Sequence, residues 1–212
     1  APTAAPTPLP TPAPTPAPTP TPTAPPTPAP PQPAFAWAGR EFSGSVGNLE
    51  DLTAQVSSTD LGPELSIGFT ARFDKPTGWT VLDLKGADAQ GNGCDLWIFS
   101  SGGMGWDQFR VMSAYRGGDT TLHQYIVNVG ETSKFLVTLS QSGGAQIFKD
   151  GALKASGPMP GWSQMQASFR ASKLVIGQLA NNHPMDGLIK HLSLWNRVLT
   201  WQEFDAWQSA QA

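Results

Sequence analysis

Residues 1–33 read APTAAPTPLPTPAPTPAPTPTPTAPPTPAPPQP, and hold 16 of the chain's 21 prolines and none of its charged residues. Each proline fixes φ and lacks a backbone N–H, so neither helix nor sheet runs through such a segment. The residue before each proline is pushed to extended geometry as well. Polyproline II is the conformation left, at about 3.1 Å per residue, or roughly 100 Å for the run. Much of it alternates Xaa-Pro. On a helix of about three residues per turn, successive Xaa side chains then step around the rod by roughly 240°. The eight threonines Thr3, Thr7, Thr11, Thr15, Thr19, Thr21, Thr23 and Thr27 therefore point to all sides. Pro/Thr composition of this kind is that of O-glycosylated stalks, and hydroxylated prolines would add further sugar sites. None of the six asparagines that follow begins an Asn-Xaa-Ser/Thr sequon, so glycans are expected on the stalk alone.

All 13 Lys+Arg and 16 Asp+Glu fall in residues 34–212. That is one domain of ample length to bury a core, and the expected division is stalk 1–33, domain 34–212. A net charge of −3 without a basic block argues against nucleic acid and anionic membrane. No run of about 18 apolar residues offers a membrane span. The single cysteine, Cys94, excludes an internal disulfide and a cysteine-based zinc site.

The domain reads as strands. Leu65, Ile67, Phe69, Ala71 and Phe73 alternate with Ser66, Gly68, Thr70 and Arg72, the pattern of a half-buried antiparallel strand. Further strands are expected at 79–84, 95–99, 108–115, 121–127, 134–140, 145–149, 152–156, 173–177 and 187–195, with others around 41–46 and 49–56. Asp150-Gly151 between two strand runs is a hairpin signal. Many short strands with Gly-rich breaks imply an all-β, two-sheet antiparallel jelly-roll sandwich. One helix is expected, at the C-terminus. Thr200 and Glu203 form a capping box, and Trp201, Phe204 and Trp207 make one apolar stripe that would clamp the sandwich edge.

The stretch FLVTLSQSGGAQIFKDGALKASG (135–157) resembles the strand–hairpin–strand of laminin G-like domains. The ending resembles the family more closely: Leu174-Val175-Ile176-Gly177, then Gly187 through Thr200, then Glu203-Phe204. The resemblance spans residues 42 to 208 and implies the concanavalin A-like lectin/glucanase sandwich. Glucanases of that fold draw two carboxylates from a Glu-x-Asp-x-x-Glu strand. The nearest match, Glu203-Phe204-Asp205-Ala206-Trp207-Gln208, ends in Gln and falls on the expected helix. Glu203 reads as a cap and Asp205 as a solvated charge, so no catalytic residue and no enzyme activity are expected. His123 and His191 read as structural imidazoles, and His183 as a loop residue.

Family resemblance also raises calcium. A hard cation wants six to eight oxygens, and Asp88, Asn92 and Asp95 are the side-chain donors of one loop, without diagnostic spacing. No other cofactor is implied. The eight tryptophans carry more information. Trp97 and Trp195 lie in strands and read as core. Trp79, Trp106 and Trp162 sit beside Gly-rich breaks, and are the candidates for stacking on a sugar face or on proline rings.

Two functions of different class follow. The first, favoured from sequence, is a non-catalytic extracellular structural glycoprotein. In it the jelly roll of one copy grips the stalk of the next, a head-to-tail contact able to grow into a surface fibril or coat. The alternative is a lectin-like, polysaccharide-binding module on a glycosylated spacer.

Overall fold

The computed structural model describes residues 30–57, 59–76, 78–100, 108–115, 118–165, 168–178 and 183–211. Twelve strands and three short helices follow in chain order: β1 Phe35–Ser43, β2 Glu50–Asp51, α1 Thr53–Val56, β3 Leu65–Phe73, β4 Thr80–Ala87, β5 Gly93–Phe99, β6 Gln108–Tyr115, β7 Gly118–Tyr125, β8 Thr132–Ser140, β9 Gly144–Lys149, β10 Ala152–Gly157, α2 Pro160–Ser163, β11 Arg170–Ile176, β12 Asp186–Trp195 and α3 Trp201–Ser209. They form two six-stranded sheets. Sheet A has the order β1-β12-β3-β8-β9-β10, and sheet B the order β2-β11-β4-β5-β6-β7. All pairings are antiparallel. This is the two-sheet jelly-roll sandwich that the strand pattern implies.

Alternation decides what lies between the sheets. Phe69 of β3 and Phe135 of β8 project inward from sheet A, and Phe109 of β6 meets them from sheet B. Their rings stack with centroids 5.1–6.3 Å apart. Arranged this way, aromatic pairs contribute beyond the area they bury. The β9–β10 hairpin turns as its sequence dictates: Asp150 (φ 48°) and Gly151 (φ 88°) both take the left-handed conformation of a two-residue primed turn.

Helix α3 starts as its sequence requires. Thr200 Oγ1 accepts from the Glu203 N–H, and Glu203 Oε2 accepts from the Thr200 N–H. It does not clamp the sandwich edge, as expected, but lies over the outer face of sheet A. There Phe204 and Trp207 join Leu136, Trp195 and Leu199 in a second core. The centre of that contact is Gly68 of β3, where an added Cβ would lie 2.3 Å from the Phe204 ring. Ser66 and Gly68 are therefore buried from outside as the odd residues are from inside. β3, expected to be half-buried, is buried on both faces along its first half.

Two segments depart from expectation. The strand expected at 49–56 is only two residues long, because Asp51 Oδ1 accepts from the Thr53 N–H and turns the chain into α1. The connection after β10 folds into α2. The stalk threonines Thr3 to Thr27 lie outside the described residues. Its last residues do not: Pro31 O accepts from Trp195 Nε1 at 3.1 Å, and Ala34 N donates to Leu194 O at 2.8 Å.

Replacing Gly68 by alanine is expected to destabilise the domain by about 1–3 kcal/mol, because Phe204 is held in a filled layer. Urea denaturation measures this. An unchanged midpoint would mean that α3 is not seated as described.

Candidate functional site: the outer face of sheet B

The proposed ligand tryptophans divide at once. Trp79 and Trp162 have no exposed surface. Trp79 packs on Phe73 with centroids 4.1 Å apart, and its Nε1 donates to Pro76 O. Trp162, in α2, packs on Phe169 and donates from Nε1 to Pro63 O at 2.7 Å. A nearby carbonyl satisfies each indole N–H, so both rings enter the core without an orphaned donor. Neither is able to stack on a ligand, which corrects the expectation. Trp106 lies outside the described residues.

The calcium candidates are occupied by the protein itself. Asp88 Oδ1 accepts from the Gln90 and Asn92 N–H groups, and Oδ2 from Asn92 Nδ2 and the Tyr115 hydroxyl. Burial acts to raise the Asp88 pKa. The bonds from Asn92, Tyr115 and the turn backbone outweigh it and hold the carboxyl well below the usual range. Asp95 Oδ2 accepts from Lys85 at 2.7 Å. These residues close the β4–β5 turn. Among the described residues no group of three or more His, Cys, Asp and Glu is placed to hold a metal ion. Glu203 is the cap already described, and Asp205 pairs with Lys134 at 2.6 Å.

Among the described residues, α1 and α2 send their buried side chains into the inner core, and sheet B has no outer cluster like the one under α3. Along β5 the inward residues are Cys94, Leu96 and Ile98, and along β6 Phe109, Val111 and Tyr115. By alternation the other set faces out: Asp95, Trp97 and Phe99, then Gln108, Arg110, Met112 and Ala114, then Asp119, Thr121, His123 and Tyr125 of β7. Register sets these in rows across the strands. Trp97, Met112 and Thr121 form one row, Phe99, Arg110 and His123 the next, and Gln108 with Tyr125 the last. Thr121, His123 and Tyr125 are exposed, and Tyr125 retains 53% of its surface.

A polar relay holds the exposed end. Arg110 Nε and Nη2 donate to Gln108 Oε1, and Gln108 Nε2 donates to the Tyr125 hydroxyl at 2.7 Å. Arg110 forms no ion pair among the described residues. At the other end the Lys85 ammonium stands 5.7 Å from the Trp97 ring centroid. The bond to Asp95 raises the Lys85 pKa against burial. Across from Trp97, Asp83 accepts from Lys173 at 2.6 Å through Oδ2, while its buried Oδ1 has no partner among the described residues. The buried Trp97 Nε1 has none either. A buried donor or acceptor without a partner costs about 1–3 kcal/mol. Here one of each stands on directly opposed residues.

Sequence reasoning placed Trp97 in the core and His123 as a structural imidazole. Both belong to this outer face instead. Alternation was the available signal: with Leu96 and Ile98 inward, Trp97 must face out. His183, expected in an exposed loop, is half-buried at φ 53°, with its ring 6.1 Å from Phe99.

With fold and face described, the class follows. The chain belongs to the concanavalin A-like lectin/glucanases superfamily, whose sequence profile matches residues 50–204. No curated protein sequence matches it. Among solved structures it is similar to the CBM40 module of the Ruminococcus gnavus IT-sialidase bound to α2,3-sialyllactose. That similarity is 16% identity over 82% of this chain and 98% of the module, with a TM-score of 0.59. It is similar also to a point mutant of the NanB sialidase from Streptococcus pneumoniae (15% identity, TM-score 0.60). This covers 81% of the present chain but only 27% of that protein. The binding domain of botulinum neurotoxin serotype G is a third relative in fold, at 12% identity over 84% of this chain and 46% of that one, with a TM-score of 0.55. The fold is the two-sheet sandwich of that superfamily, shared with the CBM40 module. No helix among the described residues is long and apolar enough to cross a membrane.

Replacing Trp79 or Trp162 by alanine is expected to cost about 3–5 kcal/mol of stability, as for other buried aromatics. Urea denaturation distinguishes this from a surface role, in which the midpoint would not move.

Proposed function

We propose that the chain is a non-catalytic carbohydrate-binding module, carried outside the cell on a Pro/Thr-rich spacer, and that it takes its glycan on the outer face of sheet B. One observation carries this reading: that face sets Trp97, Arg110, His123 and Tyr125 on three adjacent strands. Strand spacing spreads β5 to β7 over about 10 Å, and aromatic rings alternate there with polar donors.

An acidic glycan is the proposed ligand. Among the described residues Arg110 is a cation without a carboxylate partner, held beside Phe99 and His123 by Gln108. A guanidinium recognises a carboxylate through paired N–H groups. The sialyllactose of the R. gnavus module carries a carboxylate of that kind. Thr3 to Thr27 are the proposed O-glycan acceptors of the spacer, which intact-mass measurement on source-purified protein would reveal as hexose increments. The relatives in fold favour this reading over the fibril subunit.

Isothermal titration of the full chain with α2,3-sialyllactose and with lactose tests the proposal. The acidic sugar is expected to bind, and lactose more weakly. Arg110→Ala should lose about tenfold or more of the affinity, the scale of a hydrogen bond to a charged group, with an unchanged melting temperature. Equal binding of both sugars by wild type and variant would remove Arg110 from the site. Absence of binding by any acidic or neutral glycan would overturn the function.

A further inference from the structure

Trp201 opens α3 and stays half-exposed on the outer face of sheet A. Phe204 meets its ring edge-on at 5.3 Å, and the half-buried Phe148 of β9 stands 6.5 Å away. The indole lines two grooves. One, of about 430 Å³, is walled also by Thr132, Lys134, Asp150 and Asp205. The other, of about 360 Å³, is walled by Gln146, Phe148 and Gln202 among others, and by no charged residue. Each is of the size that holds a small ligand. Trp201 Nε1–H makes no hydrogen bond among the described residues. The turn residue Gly151 leaves it uncovered: a Cβ there would lie 3.4 Å from Nε1.

The first groove is made of acceptors. Lys134 engages one oxygen of each carboxylate: its N–H donates to Asp150 Oδ1 at 2.8 Å, and its ammonium to Asp205 Oδ1 at 2.6 Å. Asp150 Oδ2 and Asp205 Oδ2 accept nothing among the described residues. One ammonium against two carboxylates leaves this groove net negative. It calls for donors that carry no negative charge. In the second groove the side-chain amides of Gln146 and Gln202 make no hydrogen bond among the described residues, and each offers a donor and an acceptor. A ligand that spans the indole must answer both grooves. It needs donors and acceptors together, no charge, and an apolar surface for two rings. A neutral saccharide has all of these. Each hydroxyl donates and accepts, and the C–H bonds of a pyranose, slightly positive, suit the negative face of an aromatic ring.

We propose that Trp201 is the centre of a second glycan site, which takes a neutral saccharide and is independent of the acidic-glycan face. The chain's own Pro/Thr-rich segment does not match the chemistry. Its prolines have no N–H to give to Asp150 and Asp205. Among the described residues that segment reaches Trp195, where Pro31 O satisfies the buried indole, and leaves the Trp201 N–H open. A carboxylated sugar does not match it either, because Asp150 and Asp205 repel it. That preference is the reverse of the one proposed for Arg110 on sheet B. One outer face of the sandwich then selects for a carboxylate and the other against it, so a single module bridges two glycans of different charge.

The test is a titration of the isotope-labelled full chain with cellotriose and with lactose while the indole N–H resonances are followed. A saturable shift of the Trp201 resonance with at least one of them is the expected result. N-acetylneuraminic acid should leave that resonance in place at the same concentrations. Trp201→Ala should lose about tenfold or more of the neutral-sugar affinity, the scale of one aromatic contact plus one hydrogen bond. Asp150→Asn keeps the Oδ1 acceptor and suits the left-handed turn position. Its melting temperature should hold while the affinity falls by about tenfold, the scale of a hydrogen bond to a charged group. The same titration of Arg110→Ala separates the two faces: the Trp201 shift should persist there whether or not the acidic-glycan reading stands. Absence of a Trp201 shift with both neutral sugars overturns the proposal. So does a shift that Arg110→Ala abolishes and Asp150→Asn leaves untouched. A shift produced by choline, or by a synthetic peptide of residues 20–30, and by neither sugar gives the groove to a cation or to the Pro-rich segment, and overturns it as well.

Discussion

The seating of Phe204 against Gly68 determines which side of this sandwich is free. A two-sheet fold has two outer faces, and each needs either polar residues or a cover. Sheet A takes a cover. The absent side chain at Gly68 admits the Phe204 ring, the Thr200–Glu203 capping box fixes where α3 begins, and Trp207 lands on Trp195. Among the described residues sheet B has no outer cluster of that kind. Indole, guanidinium, imidazole and phenol occur together among its outward residues.

The same arrangement sets the root of the stalk and the proposed glycan face apart. The stalk joins at β1, an edge of sheet A, and the Trp195–Pro31 bond fixes its last residues against the covered face. The proposed glycan face lies on β5 to β7, toward the far edge of sheet B, where β7 meets β10.

Local rules reached the elements whose causes are local. The capping box, the Asp150-Gly151 turn and the inward set of β3 each depend on residues a few positions apart, and each is legible. The double burial of β3 was not, because the cover for Ser66 and Gly68 comes from residue 204. Trp79 and Trp162 misled for a related reason. A glycine neighbour suggests a loop, but the carbonyls of Pro76 and Pro63 that let those indoles enter the core are placed by the tertiary fold. The proposed glycan face was half legible. Alternation along β5, β6 and β7 gives the outward residues. Only the register brings Trp97, Arg110 and His123 onto neighbouring rows, and only the position of α3 tells the two outer faces apart.

The most direct test of the central claim is chemical-shift mapping of the full chain against α2,3-sialyllactose. Perturbations are expected to cluster on the outward residues of β5, β6 and β7, with the Trp97 indole N–H and the Arg110 side chain among the largest. Perturbations confined to the α3 face, or to the turns at either end of the sandwich, would contradict the assignment of the open face as the binding surface.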